Sequence, residues 1–151
     1  MKRVSAGILP FRQKEGGTEV YLIHMGGPFW RKRERAWSIV KGEVEEGEDL
    51  LTAAKREFFE ETGERIEGSF LPLGTAKTSN KIIHAWAVRA EPSTRIVSNM
   101  FELEWPPGSG RKRSFPEADR AAWFPLKRAE EVIVKSQIPF LERLRELLSG
   151  N

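Results

Sequence analysis

The feature that most constrains this chain is a cluster of acids in the stretch REFFEETG, at 56–63. If this stretch is helical, Glu57, Glu60 and Glu61 fall at i, i+3 and i+4, on one face within about one turn. Like charges at that spacing repel by roughly a few tenths of a kcal/mol per pair. The acids therefore either lie on a charged face in water or serve a cation.

The residues around the acids favour a helix with defined ends. Asp49 suits an N-cap and Gly63 suits a C-terminal stop, so we expect a helix over 50–62. The side chains at helical spacing that would form its buried stripe are Leu51, Ala54, Phe58 and Thr62.

The rest of the chain alternates strand-like and helix-like segments. We expect strands at 4–12, 19–25, 36–40, 70–75, 81–89, 99–105 and 121–124, and further helices at 127–134 and 138–148. Interleaved strands and helices predict an α/β fold, a mixed sheet with helices on both faces. A length of 151 residues is that of one ordinary domain, so we expect a single domain over 1–151.

Composition excludes several classes of site. The chain has no cysteine, which excludes disulfides, thiolate metal sites and a cysteine nucleophile, and which suits a reducing compartment. The opening residues MKRVSAGILPF contain only a short apolar run, interrupted by Pro10, too short for a secretion signal or a membrane span. We therefore expect a cytoplasmic protein with no membrane partner.

Residues 42–64 read GEVEEGEDLLTAAKREFFEETGE, and this spacing of glycine, glutamate and arginine resembles the Nudix box of the Nudix hydrolases. One position departs from the pattern, because Glu64 stands where the family usually has an aliphatic residue. The segments 5–7, 37–42 and 122–124 are also similar to the family's strands, with Val40 where proline is common.

The resemblance implies a Nudix-like α/β/α sandwich with a central mixed β-sheet. It also implies Mg²⁺-dependent hydrolysis of a pyrophosphate bond in a nucleoside diphosphate linked to another moiety, with Mn²⁺ as the alternative cation. The chemistry fits the residues: hard divalent cations prefer carboxylate and phosphate oxygens, and a cation would offset the repulsion among the acids. Cleavage of a phosphoanhydride depends mainly on such positive charge.

The resemblance also suggests a role for each acid. Glu60 and Glu61 are expected to be metal ligands, and Glu57 a ligand or the general base. Glu48 and Arg56 are expected to support catalysis by fixing the loop and orienting the acids. Many relatives use a further acid later in the chain, for which the candidates are Glu102 and Glu104, with Glu104 assigned to the metal. The alternative for that pair is an exposed strand edge.

Four residues are candidates for substrate binding. Lys41 would touch phosphate, and the loop expected over 41–49, which includes Gly42, would offer backbone N–H groups near the start of the helix. Arg31 and Arg111 belong to two basic clusters, 31–35 and 111–113, that could attract polyphosphate at the mouth of the site. The alternative for both clusters is a solvated loop that favours solubility.

The aromatic residues and histidines give weaker signals. Trp30 and Trp105 could stack on a base, although ordinary packing is the simpler interpretation. His24 and His84 are the only histidines, and we interpret both as packed within strands rather than as catalysts.

The substrate stays open at this point. A nucleoside triphosphate, a dinucleoside polyphosphate, ADP-ribose and a capped RNA end all fit, and the markers of two subfamilies are missing after the box. The alternative function is a catalytically inactive nucleotide- or RNA-binding Nudix-like module, against which the intact Glu57, Glu60 and Glu61 argue. Nucleic acid is the less favoured partner, and the sequence leaves monomer and homodimer open.

Overall fold

The computed structural model describes residues 2–150. In this part of the chain the strands are β1 (Arg3–Lys14), β2 (Gly17–Met25), β3 (Trp37–Ser38), β4 (Val40–Glu43), β5 (Leu71–Lys77), β6 (Lys81–Arg89), β7 (Met100–Glu104), β8 (Lys112–Pro116) and β9 (Ala118–Pro125). The α-helices are α1 (Leu50–Thr62), α2 (Leu126–Val132) and α3 (Ile138–Leu148). The expected α/β fold with a mixed sheet is confirmed.

The long strand β1 organises the sheet, because it changes partner along its length. Its first half pairs with β4, from Ser5 opposite Glu43 to Ile8 opposite Val40, and its second half pairs with β2. On the other side, β6 runs parallel to it. The main order is β3-β2-β1-β6-β5, with β9 paired to β2, and β7 and β8 form a separate ribbon. The sheet therefore splits between β2 and β4, which leaves an opening at this edge.

Two hydrophobic clusters cover the two faces of the sheet. Alternate residues of β2 point to opposite faces, with Val20 and Leu22 in one cluster and Tyr21 and Ile23 in the other. The first cluster includes Phe140 and other side chains of α2 and α3. The second includes side chains of α1. Helices thus pack on both faces, as the interleaved pattern predicts.

Helix α1 has the bounds that its sequence predicts. The Asp49 carboxylate accepts a hydrogen bond from the backbone N–H of Thr52 at 3.1 Å, which caps the first turn. Gly63 adopts a left-handed φ of 82°, and its N–H donates to the carbonyl of Phe59 at 2.7 Å. Ala54 and Phe58 are buried, as the predicted stripe requires.

The structure differs from the sequence prediction at the short strands. The segment expected as one strand over 36–40 is two strands, because β3 pairs with β2 whereas β4 pairs with β1. Residues 41–43, expected in a loop, continue β4. Strand β8 was missed because its residues, KRSFP, face no core and are exposed or half-buried. Within residues 2–150, no helix has the length and apolar character needed to cross a membrane.

Candidate active site

The acids of α1 line a cavity of about 360 Å³ beneath strands β1 and β4. Five carboxylates and two ammonium groups line this cavity, those of Lys41, Glu43, Glu57, Glu60, Glu61, Lys81 and Glu117. We call this cavity the acidic cleft. The helical spacing of the glutamates puts three of its acids on one face, and the pairing of β4 with β1 puts Lys41 opposite them.

Arg56 holds the acids of the box in one network. Its Nε donates to Glu48 Oε2 at 2.8 Å, and its NH2 donates to Glu48 Oε1 and to the carbonyl of Glu43, both at 3.0 Å. Its NH1 donates to Oε2 of Glu57 at 2.8 Å and to Oε2 of Glu60 at 3.1 Å. These bonds keep the pKa of Glu48 below its usual value, and Glu48 in turn raises the pKa of Arg56. Arg56 therefore ties α1 to the preceding loop.

Glu57 lies directly against the backbone of Gly42. A Cβ atom at Gly42 would lie 1.9 Å from Oε1 and 2.0 Å from Cδ of Glu57, far inside contact distance. Glycine is required here because the carboxylate fills the space that any side chain would need. Gly42 thus seats Glu57, rather than lying in a loop with free backbone groups.

Burial and mutual repulsion raise the pKa values of the inner acids. The pKa of Glu61 is raised to about 8, first by burial and then by the charges of Glu117 and Glu57. Burial also raises the pKa values of Glu57 and of Glu117. Glu61 accepts one hydrogen bond, from Ser98 Oγ at 3.3 Å, and is 8% exposed. The cluster therefore carries more negative potential than its own surroundings neutralise.

Lys41 supplies positive charge on the opposite wall of the acidic cleft. Its pKa is lowered to about 8, mainly by burial and then by the neighbouring ammonium of Lys81, while Glu61 and Glu57 oppose the shift. Two neighbouring lysines at the edge of an acid cluster can bind an anion, while the acids bind the cation that accompanies it.

Glu117 reaches the acidic cleft because the segment before β7 docks on the end of α1. The N–H of Val97 donates to the carbonyl of Thr62 and that of Asn99 to the carbonyl of Glu60, both at 2.9 Å. These bonds satisfy carbonyls that the last turn of a helix leaves free. The N–H of Glu117 then donates to the carbonyl of Asn99 at 2.8 Å. The docked segment therefore carries Glu117 to the glutamates of α1.

An apolar pocket of about 280 Å³ adjoins the acidic cleft, in the opening between β2 and β4. Ile23, Ile39, Trp30 and Phe101 line it, and it shares Lys41, Glu61 and Glu117 with the acidic cleft. A flat apolar group bound here would place an attached charged group beside the acids.

The donor set suits a hard divalent cation. The carboxylates offer only oxygen, and Oε1 of Glu57 and Oε1 of Glu60 accept no hydrogen bond from residues 2–150. Glu57 and Glu60 turn their other oxygens to Arg56, and no three acids or histidines of the described chain are arranged as a ready metal cage. Ligation would therefore require these side chains to turn.

Comparison with known families agrees with the geometry. A family model described as the NUDIX domain matches residues 1–144. The chain belongs to the NUDIX domain family. The enzyme class expected from the sequence, a Nudix-type pyrophosphohydrolase, is confirmed with it.

Solved structures share the Nudix fold at low identity. An Ap4A hydrolase of C. elegans in a binary complex is 19% identical, with a TM-score of 0.69 and 99% of each chain covered. The NUDIX domain of Shewanella oneidensis NrtR, complexed with ADP ribose, is 15% identical, with a TM-score of 0.66, 98% of this chain and 89% of that chain covered. The E. coli ORF135 protein is 20% identical, with a TM-score of 0.60, 99% of this chain and 94% of that chain covered.

The Nudix site gathers most, but not all, of the residues that the sequence suggests. The structure brings together Lys41, Gly42, Glu48, Arg56, Glu57, Glu60 and Glu61. It does not bring Glu104 to them, because the Glu104 carboxylate accepts hydrogen bonds from the N–H groups of Gly110 and Gly108 in the turn after β7. Glu102 is exposed on β7.

The two predicted arginines are also outside the acidic cleft. Arg111 lies in the exposed turn between β7 and β8, where its carbonyl accepts from the N–H of Trp105 at 2.9 Å. Arg31 lines a separate pocket with His24 and Arg120. The later acid that does reach the Nudix cluster is Glu117, which sequence reasoning missed. The one local signal was its place directly before the final strand, in FPEADR.

Proposed function

We propose that this Nudix protein hydrolyses, with Mg²⁺, a phosphoanhydride bond in a nucleoside diphosphate linked to another moiety. One observation carries the proposal: five carboxylates and two lysines line a single cavity that adjoins an apolar pocket. A divalent cation and a polyphosphate chain need opposite charges close together, and a nucleoside needs apolar walls beside them.

The residues that would hold the cation are the carboxylates that α1 and the segment before β9 bring into the acidic cleft. Glu57, Glu60, Glu61 and Glu117 would hold Mg²⁺, with Mn²⁺ as the alternative. The cation, when bound, supplies positive charge at phosphoryl oxygens and acidifies water. Arg56 fixes one oxygen of Glu57 and one of Glu60, which leaves the other oxygen of each to take a ligand or a proton. Either of these two glutamates can therefore serve as general base.

The substrate's phosphates would lie against the lysines. Lys41 and Lys81 would balance the charge of the phosphate oxygens, and the partial burial of Lys41 would strengthen that attraction by lowering the local dielectric. Arg56 would hold the acids in place during the reaction, since a guanidinium with five hydrogen bonds loses little freedom when the substrate binds.

The apolar pocket favours a nucleotide over a bare polyphosphate. Trp30 and Phe101 offer aromatic surface on which a base can stack, and Ser38 offers a polar group within the same pocket. Similar folds include a protein described as an Ap4A hydrolase and a domain complexed with ADP ribose. We therefore include dinucleoside polyphosphates and ADP-ribose among the candidate substrates, and we propose that residues 1–151 act as one catalytic domain in the cytoplasm.

The test is product analysis over a panel of nucleoside triphosphates, dinucleoside polyphosphates, ADP-ribose and capped RNA. Each compound is incubated with the protein in Mg²⁺, in Mn²⁺ and in chelator, and products are separated by chromatography. Cation-dependent cleavage of a panel member into two phosphorylated products supports the proposal and names the substrate class. Tight binding of nucleotides or RNA without turnover in either cation would instead identify an inactive binding module.

A further inference from the structure

A second pocket, of about 590 Å³, is lined by residues of β2, β8, β9 and the loop after β2, and contains none of the acids discussed above. It is lined by His24, Arg31, Phe115, Asp119 and Arg120, together with Gly27 and Pro116. We call it the histidine pocket. Its walls carry two guanidinium groups and one carboxylate, so its balance of charge is the reverse of that in the acidic cleft.

A β-bulge builds the floor of the histidine pocket. In the pairing of β2 with β9, His24 lies opposite Arg120 and Met25 opposite Ala118, so Asp119 is an extra residue without a partner. Bulges of this kind re-aim a side chain. Here the Asp119 carboxylate meets His24 Nδ1 at 2.9 Å. The bulge thus directs the Asp119 carboxylate to the imidazole of His24, which it orients.

The other nitrogen of His24 faces the histidine pocket. The residue is only 7% exposed, and Nε2 makes no hydrogen bond to residues 2–150. Within this described chain no fully buried side-chain nitrogen or oxygen lacks a partner. Nε2 must therefore keep some exposure, and the histidine pocket is the cavity that His24 lines. A carboxylate on Nδ1 fixes the ring so that Nε2 is presented to whatever enters.

Two arginines complete the histidine pocket without carboxylate partners. Neither Arg31 nor Arg120 belongs to any of the ion pairs formed among residues 2–150. The guanidinium of Arg120 lies over the ring of Trp37, 5.3 Å from its centroid, which holds the group in place and leaves its N–H edges free. A third guanidinium, that of Arg113, lies 5.7 Å from the ring centroid of Phe115 in the wall.

We infer that the histidine pocket binds a phosphate group, through Arg31, Arg120 and Nε2 of His24. Guanidinium forks match phosphate oxygens in geometry, and Arg31 and Arg120 both line this pocket without carboxylate partners. Because Nδ1–H of His24 donates to Asp119, Nε2 accepts from a phosphate hydroxyl when the ring is neutral and donates to a phosphate oxygen when the ring is protonated. The binding of phosphate here does not depend on the proposed function. The source of the phosphate does: if the protein is the proposed hydrolase, the ligand is a phosphate on the far part of its substrate, beyond the acidic cleft.

The apolar pocket and the histidine pocket are neighbours, separated by a pair of glycines. Gly26 lines the apolar pocket and Gly27 lines the histidine pocket. A Cβ at Gly26 would lie 1.9 Å from the carbonyl oxygen of Pro116, and one at Gly27 would lie 3.0 Å from Cζ of Phe101. The ribbon is therefore seated on these glycines, and a ligand that spans both cavities crosses the partition they form.

The test uses the protein's two histidines, His24 and His84, as spectroscopic probes. The ring signals are followed by NMR while inorganic phosphate is added in chelator, at constant pH and ionic strength in a buffer without phosphate. The inference predicts a saturable shift of the His24 signals and none of those of His84. It predicts about tenfold weaker binding in Arg120→Gln. Arg128→Gln, which removes the same charge from the exposed face of helix α2, should bind like the wild type.

Absence of a saturable His24 shift in the wild type overturns the inference, as does equal affinity in Arg120→Gln. If Arg120→Gln fails to fold, Arg31→Gln takes its place in the same measurement. Diadenosine tetraphosphate in chelator identifies the source: a His24 shift that competes with phosphate assigns the substrate's far end, and a response to phosphate alone assigns free phosphate. Because chelator prevents metal-dependent cleavage, a negative result here leaves the proposed hydrolysis standing.

Discussion

The Glu57 carboxylate occupies the space that a side chain at position 42 would need, with its Oε1 only 1.9 Å from where a Cβ of Gly42 would be. Strand β4 and helix α1 therefore meet through a glycine and an acid rather than through two side chains. This close approach fixes the position of Glu57 relative to Lys41, which directly precedes Gly42 in β4. It therefore sets the spacing between the acids and this lysine across the acidic cleft.

Gly42→Ala is expected to displace Glu57 and to lower kcat by about a hundredfold, since a shift of about 1 Å in a reacting group has that effect. Overpacking should also lower the free energy of unfolding by about 1–3 kcal/mol. Gly16→Ala is the matched control, because a Cβ there meets nothing within 4 Å. Kinetics and urea denaturation of both variants decide the matter, and an unchanged kcat in Gly42→Ala would exclude this role for the glycine.

Arg56→Lys is expected to lower both activity and stability, because one ammonium cannot replace a fork that binds Glu48, Glu57, Glu60 and the carbonyl of Glu43. We expect a loss of about 1–3 kcal/mol in the free energy of unfolding. Arg145→Lys is the control, since Arg145 makes an exposed pair with Glu130 and should cost about 1 kcal/mol or less. Equal losses in the two variants would mean that the Arg56 network contributes no more to the free energy of unfolding than an ordinary surface ion pair.

Glu117→Gln is expected to lower cation-dependent turnover by at least about tenfold, because Glu117 lies in the acidic cleft and strengthens its negative potential. Glu104→Gln should change turnover little, since Glu104 closes the turn between β7 and β8. Turnover as a function of cation concentration separates the two residues. A larger loss of turnover in Glu104→Gln than in Glu117→Gln would show that Glu104 is the later acid that serves the cation.

In chelator, the free energy of unfolding should fall as pH rises from about 4.5 towards about 8. The pKa of Glu61 is raised to about 8 in the folded protein from an ordinary value of 4.5, so in this interval the folded chain holds more protons than the unfolded chain. The raised pKa values of Glu57 and Glu117 act in the same direction.

Denaturation at pH 5.5 and pH 8 measures this slope. Glu61→Gln removes the largest of the three contributions, so its stability should depend less on pH than that of the wild type, and at pH 8 it should be the more stable protein. A wild-type slope that survives unchanged in Glu61→Gln would show that Glu61 is not the group responsible.

The local features of the site could be predicted from the sequence. Helix α1 has the predicted bounds because its cap, its stop and its buried stripe are all encoded within fifteen residues. The spacing of Glu57, Glu60 and Glu61 needed only the helical period, and Arg56 was within reach of them on the same helix.

The features that depend on distant pairing could not be predicted. Glu117 reaches the acids only because the backbone N–H groups of Val97 and Asn99 donate hydrogen bonds to the end of α1. No local sequence pattern predicts these bonds. His24 was interpreted as a packed histidine, and it is buried, but its pairing with Asp119 depends on a bulge between β2 and β9. The split of 36–40 into two strands likewise depends on β1 changing partner.

The most direct test of the central claim is turnover of the best panel substrate by the wild type, Glu60→Gln and Glu142→Gln, each in Mg²⁺ and in chelator. Glu142 is an exposed acid on α3, so its variant controls for the loss of one charge. Our account predicts turnover in Mg²⁺ for the wild type and Glu142→Gln, and a loss of at least about a hundredfold in Glu60→Gln and in chelator. Equal turnover by Glu60→Gln and the wild type would contradict the claim that this acid cluster performs the hydrolysis.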